Sequence, residues 1–360
     1  MTGLYFHIPF CAKKCPYCDF FSVSYNKETV SQYVSAIIRN LAAYAPEDMV
    51  DTVYFGGGTP SLLSAAQIGE ILNACAKYAH IASNPEITLE FNPTGKRTQY
   101  LHDLRIAGIN RLSVGTQSFS DAQLLMLGRT HCSADGIRTV MTAYEQGFTN
   151  ISCDLMLACP HQSESVLAAT LDTLVKLPIT HVSAYLLQVE EGTPLSGNTD
   201  LLLQLPDDDA STDRYLQAVH TLEEHGFHQY EVSSFAKAGH ESRHNMKYWN
   251  CEPYLGIGAG AHSCYDGKRF QVPKDIAAFC SDAAQPTQLI DDSPCSSDER
   301  LMLSLRMTKG VPLSALSSMA QKKIPMLVNG GYLSVLDNSH VSLSPKGFAV
   351  SNAVIAMLLE

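Results

Sequence analysis

The sequence predicts an α/β fold in which six strands alternate with helices, followed by a small, mainly helical C-terminal domain. Three observations lead there. Strand-like runs recur at 4–9, 52–55, 87–91, 111–114, 151–157 and 182–189, with amphipathic stretches between them. Such alternation implies parallel pairing through right-handed crossovers. Distinctive polar groups sit at the strands' C-terminal ends, where parallel α/β proteins collect their sites. After about residue 228 the rhythm stops.

Taken in order, the first strand is the apolar run "GLYFHIPF". The helix after it, "ETVSQYVSAIIRNLAAY", repeats Val30, Val34, Ile37, Ile38 and Leu41 at helical spacing. "LSAAQIGEILNACAKYA", "TQYLHDLRIAG" and "SADGIRTVMTAYEQG" read the same way, and Gly108 and Gly147 stand where helices end. The strand ends carry Cys11–Cys18, then "GGGTP", "EFNP" and "GTQSF", with Asp154 inside the fifth strand. Six units allow an open or partial barrel or a doubly wound sheet, and five decorated ends favour the barrel. The stretch "YEVSSFAKAGHESRHNMKYWNCEPYLGIGAGAHSCY" is aromatic, without clear helical periodicity. Residues 281–297 read as a polar linker, and a hairpin with the turn "DNSH" is expected near the end. The expected divisions are a core over 1–235, a junction over 236–290 and a small domain over 291–360.

Composition narrows the function. With 360 residues, 45% hydrophobic and 17% charged, the chain is that of a globular protein. A net charge of −11 argues against nucleic acid as the main partner. No apolar run approaches the roughly 18 residues of a membrane span, and the N-terminus lacks the basic region of a signal peptide. Eleven cysteines without a framework pattern suit a reducing cytoplasm. Eight of them, Cys75, Cys132, Cys153, Cys159, Cys251, Cys264, Cys280 and Cys295, read as scattered free thiols.

The other three form "CAKKCPYC", with Cys11, Cys15 and Cys18 spaced C-x3-C-x2-C. Structural zinc wants four ligands, so a distant fourth such as His7 or His244 would be needed. A disulfide would leave one thiol over. A four-iron cluster held by three thiolates accounts for the odd number, because its fourth iron stays open to another ligand. Pro16 fixes the bend, and Lys13 and Lys14 could offset thiolate charge. Zinc stands as the alternative.

This spacing, followed within about 40 residues by a glycine run at a strand end, resembles the radical S-adenosylmethionine (SAM) enzymes. The resemblance implies a partial (β/α)6 barrel, a [4Fe-4S] cluster on Cys11, Cys15 and Cys18, and SAM on the open iron. It also implies cofactor contacts for Tyr5, Tyr17, Gly57, Gly58, Thr59, Glu90, Gln117, Arg129 and Asp154. Glycines at the second strand end would let backbone approach the ligand.

Within that superfamily, "YFHIPFC", "YFGGGTPS", "EFNP", "GTQSF", "LGRTH", "YEVSSFA", "RHNMKYW" and "YLGIGAGAHS" resemble the oxygen-independent coproporphyrinogen III oxidases and their HemW-type haem chaperone relatives. The oxidases carry a further cysteine where this chain has Phe20, and a longer segment before the cluster. The "HNMKYW" string is similar to a chaperone-branch motif. It implies haem binding by His244, Asn245, Tyr248 and Trp249, with Arg243 and Lys247 available to propionates. The implied function is a haem carrier that passes haem to an acceptor protein. The alternatives are a coproporphyrinogen III oxidase or a radical SAM enzyme on another substrate. Oxidase activity is not expected, no catalytic residue is assigned, and a homodimer is left open. Two departures stand out: in "DLMLACPHQS", Ala158 and His161 replace usual glycines, so the loop is expected to take a different path near the cofactor. Ser234 replaces an asparagine in "YEVSSFA".

Overall fold

The computed structural model describes residues 1–93, 97–281, 284–337 and 339–359. At its centre lie β1 (Thr2–Ile8), β2 (Val50–Gly57), β3 (Ile81–Phe91), β4 (Arg111–Gln117), β5 (Asn150–Leu157) and β6 (His181–Leu186). Each overlaps one of the six predicted runs, although β3 begins earlier and β6 stops short of residue 189. The six lie side by side in chain order and every adjacent pair is parallel. A doubly wound sheet would reverse its strand order partway; this one does not, which makes it the predicted partial barrel. Nearly every residue of β1, β2 and β4 is buried, as expected for parallel strands covered on both faces.

The crossovers are α1 (Lys27–Tyr44), α2 (Ala65–Tyr78), α3 (Thr98–Ala107), α4 (Ser133–Glu145), α5 (Glu164–Val175) and α6 (Asp208–Glu224). Four of the starts are capped by residues suited to it: Asn26 for α1, Ser64 with Gln67 for α2, Ser163 for α5 and Asp207 for α6. Each cap satisfies amide donors that the first helical turn leaves free. Gly108 closes α3 at φ 113, a conformation that costs glycine little.

The sheet continues beyond the barrel on both sides. Past β6 come the antiparallel β8 (Ser234–Ala236) and β7 (His228–Gln229). Past β1 come β9 (Tyr254–Ile257), β10 (His262–Tyr265), β11 (Lys268–Gln271) and β12 (Gln288–Asp291), with β9 parallel to β1. The 281–297 stretch is therefore more than a linker, since it supplies edge strand β12; residues 282–283 of it lie outside the described residues. The aromatic stretch, read as lacking helix, contains α7 (Arg243–Trp249). The C-terminal part holds α8 (Ser297–Leu305), helices Ser318–Asn329 and Ser351–Leu359, and the expected hairpin Leu333–Leu336 with His340–Leu343. Asn338 of its turn lies outside the described residues. Among the described residues, no helix is long and apolar enough to cross a membrane.

Candidate functional site

The strand-end edge of the barrel brings the cysteine loop onto three other strands. Thr59 Oγ1 lies 3.6 Å from Cys11 Sγ, and Arg129 Nη1 lies 3.5 Å from Cys15 Sγ. Between them, Asn92 Nδ2 donates to Thr59 Oγ1 at 3.0 Å, and Arg129 Nη2 donates to Asn92 Oδ1 at 2.7 Å and Gly115 O at 2.9 Å. One hydrogen-bonded chain thus runs from Cys11 to Cys15 through the ends of β2 and β3 and the turn before α4. Donors of this kind, one of them cationic, suit sulfur that carries negative charge. Arg129 also keeps a buried Nε without a hydrogen-bond partner among the described residues. These residues fit an anionic thiolate cluster.

Sequence reasoning quoted "EFNP" without giving Asn92 a task, and it missed Gly128. That glycine has φ 68, and a Cβ there would lie 2.7 Å from Pro16 Cδ; the turn and the cysteine loop touch where only glycine fits. The glycines at the end of β2 carry a packing constraint as well. A Cβ on Gly57, at φ 110, would meet the His7 ring at 2.7 Å, and one on Gly58 would meet Phe10 O at 2.8 Å. Their lack of a side chain is required by the chain's own packing, whatever ligand approaches.

Deeper in the barrel, Glu90 accepts from Tyr54 Oη at 3.0 Å and from the Gly57 amide at 3.1 Å. Burial, and then the charge of Asp154, push its carboxyl up to about 7. Burial likewise raises Asp154 to about 6, against the Ser113 hydroxyl 3.1 Å away. The counter-cation is Arg111 of β4, 1% exposed, whose Nε and Nη1 have no hydrogen-bond partner among the described residues. Tyr5 stacks near Tyr54 and donates to or accepts from His7 Nδ1 at 3.1 Å. Tyr17 is half-buried beside Cys15 and Arg129 and packs on a small cluster with Leu127 and Met156. Gln117 ends β4 at φ 60. Ala158 and His161 lie at φ 56 and φ 58. Both hold a left-handed backbone that glycine would hold at less cost.

Beside these residues opens a cleft of about 730 Å³, lined by Tyr5, Tyr54 and Glu90 from the barrel, Phe20 and Phe21 from the cysteine loop, and Asn245, Tyr248 and Trp249 from α7. The helix α7 forms because Ser242 caps it and Glu86 of β3 accepts from the Arg243 and His244 amides at 3.1 and 3.0 Å. Its seven residues divide. His244 is 0% exposed, with Nδ1 2.8 Å from Thr52 Oγ1 and Nε2 2.9 Å from Tyr248 Oη. Burial, with Lys247 and Arg111 nearby, lowers its imidazolium to about 3. Neither nitrogen is turned to the cleft, so His244 supports Tyr248 from below. Lys247 is buried against Asp51 at 2.8 Å and Glu252 at 3.2 Å, and Arg243 pairs with Asp51 at 3.6 Å. The cations that were to meet propionates are thus already engaged. The cleft has a cation of its own, Lys274, beside the exposed imidazole of His262, neither with a hydrogen bond or ion pair among the described residues. Burial and then Lys274 lower the His262 imidazolium, which favours the neutral ring.

A thiol loop at the strand-end edge of a partial parallel barrel is the arrangement of the radical SAM superfamily, whose model matches residues 5–174. The coproporphyrinogen III oxidase HemN of Escherichia coli, described as a radical SAM enzyme, superposes with a TM-score of 0.84 over 99% of this chain and 89% of that one; at 21% identity the likeness is one of fold. The heme chaperone HemW of Lactococcus lactis is 32% identical over 99% of this chain and 97% of its own. The Escherichia coli HemW is 38% identical over 72% of this chain and 69% of its own. The mitochondrial radical S-adenosyl methionine domain-containing protein 1 of Bos taurus is 39% identical over 72% of this chain and 60% of its own. The chain belongs to the HemW heme chaperone family. Membership of the superfamily implies a [4Fe-4S] cluster and SAM.

Proposed function

We propose that the chain is a haem carrier that passes haem to an acceptor protein. The observation that supports this best is the shared cleft: the rings of Phe20, Phe21, Tyr248 and Trp249 face the same space as Tyr5 and Glu90. Its volume falls within the roughly 300–1,000 Å³ of ligand sites. Flat aromatic walls suit a porphyrin, and Phe20, 64% exposed, adds apolar surface where oxidases carry a cysteine. Of the four residues the "HNMKYW" motif nominated, Asn245, Tyr248 and Trp249 line the cleft and His244 does not. The imidazole free to meet haem iron is His262, with Lys274 placed for a propionate.

In this reading Cys11, Cys15 and Cys18 hold the cluster, with Thr59 and Arg129 donating toward the first two. Bound there, the cluster and SAM supply one-electron chemistry or a regulatory charge. Tyr5, Tyr17, Gly57, Gly58, Thr59, Glu90, Gln117, Arg129 and Asp154 are proposed as the cofactor's surroundings. Glu90 and Asp154 can hold a proton near neutral pH.

The test is anaerobic titration of the cluster-loaded chain with haem, followed at the Soret band, for wild type and Trp249→Ala. Saturation at one haem per chain, weakened about tenfold in the variant, is the expected outcome, one aromatic wall contributing about 1.4 kcal/mol. No saturable binding, with decarboxylation of coproporphyrinogen III by the same protein, would favour the oxidase reading.

A further inference from the structure

Three of the cysteines that look scattered in the sequence meet in space. Cys264 of β10 and Cys295, just before α8, place their Sγ atoms 3.8 Å apart. Cys251, just past α7, is near enough that burial and then the Cys295 thiol raise its own thiol. Three separate segments therefore converge on one sulfur. We propose that Cys264, Cys295 and Cys251 form a thiol–disulfide exchange site, oxidised by a low-molecular-weight disulfide, that fastens α8 to the sheet beside the "HNMKYW" helix.

The surroundings hold the thiols in register. Arg269, the cross-strand neighbour of Cys264, donates to Glu299 Oε1 at 2.6 Å, and Glu299 Oε2 accepts from the Cys295 amide at 2.7 Å. The start of α8 is thereby pinned to the β10–β11 hairpin. Cys251 and Cys295 also lie at φ 53 and φ 65, where non-glycine residues are uncommon. Both depart from ordinary backbone, and Cys295 does so as the partner of the Cys264 sulfur. Closing a disulfide of about 2.05 Å from this contact needs the sulfurs to move together by about 2 Å.

The chemistry balances. Cys295, half-buried and so reachable, attacks one sulfur of the external disulfide as its thiolate and releases the first small thiol. Cys264 then attacks Cys295 Sγ in the mixed disulfide and releases the second. Two protein thiols lose two electrons and two protons, and the external disulfide gains both as two thiols. Attack by Cys251 on Cys295 moves the bond to Cys251–Cys295 and returns Cys264 to the thiol. Burial raises Cys264 to about 11 and Cys251 to about 12, so resolution is slow and the site answers sustained oxidation.

The test treats the anaerobic, cluster-loaded full chain with oxidised glutathione, alkylates free thiols and maps peptides without reduction. Cluster absorbance checks that Cys11, Cys15 and Cys18 stay engaged, and the exposed Cys132 serves as the positive control for glutathione adducts. The expected result is a Cys264–Cys295 linked pair that a dithiol reductant reverses. Cys264→Ser should divert the link to Cys251–Cys295, and Cys295→Ser should leave Cys251 and Cys264 fully alkylatable. If wild type carries adduct at Cys132 while Cys264 and Cys295 remain alkylatable, or if glutathione stays on Cys295 unresolved, the proposal is overturned.

Discussion

The strand-end edge and α7 both carry a recognisable motif, but they present it differently. At the edge, residues far apart in sequence reach one another: Cys11, Thr59, Asn92, Arg129 and Cys15 form one hydrogen-bonded chain. On α7, residues adjacent in sequence part company: His244 and Lys247 are buried, while Asn245, Tyr248 and Trp249 face the cleft. Parallel strands deliver their C-terminal residues to a common edge whatever lies between them. A helix divides consecutive residues between faces every 3.6 positions. A motif read as a unit is therefore safer on the first scaffold than on the second.

The comparison is broken most severely at the cysteine loop. Cys15→Ala should abolish the cluster, with loss of essentially all of its visible absorption and iron after anaerobic reconstitution. Next comes the buried face of α7. His244→Ala leaves a cavity and unpairs Thr52 and Tyr248, and should lower unfolding stability by about 3 kcal/mol. His262→Ala, on the surface, should stay within about 0.5 kcal/mol in the same denaturant titration.

A pH series sharpens the barrel side. Glu90 and Asp154 keep their protons in the folded chain up to about 7 and about 6, above their unfolded values of about 4.3 and 3.9. The folded state then binds more protons across that window, so stability is full below about pH 4 and falls as pH rises through the raised values. A loss of about 4 kcal/mol between pH 4.5 and 7 is expected, and Glu90→Gln should remove the larger part of it. The smallest effect is at the loop after β5, where Ala158→Gly should gain about 0.5 kcal/mol by relieving left-handed backbone.

The six strands were legible because parallel strands buried on both faces read as short apolar runs, and the cysteine loop because its spacing is dense. Asn92 and Gly128 were not, since a network partner and a close approach leave no periodic mark. The α7 helix was missed because its seven residues are too few for periodicity to show; its stability comes from Ser242 and from Glu86, 157 residues before Arg243. The fates of Arg243 and Lys247 depended on Asp51, equally invisible from the motif. His262 stands in "YLGIGAGAHS", a string in which nothing distinguishes an exposed ring from a buried one.

The most direct measurement is the Soret titration repeated with His262→Ala and His244→Ala in the cluster-loaded chain. The cleft account predicts that His262→Ala weakens haem binding at least tenfold and shifts the Soret maximum, about 1.4 kcal/mol or more in binding energy. It predicts that His244→Ala, though less stable, keeps the wild-type maximum. The reverse pattern, with the maximum moved by His244→Ala and untouched by His262→Ala, would contradict it.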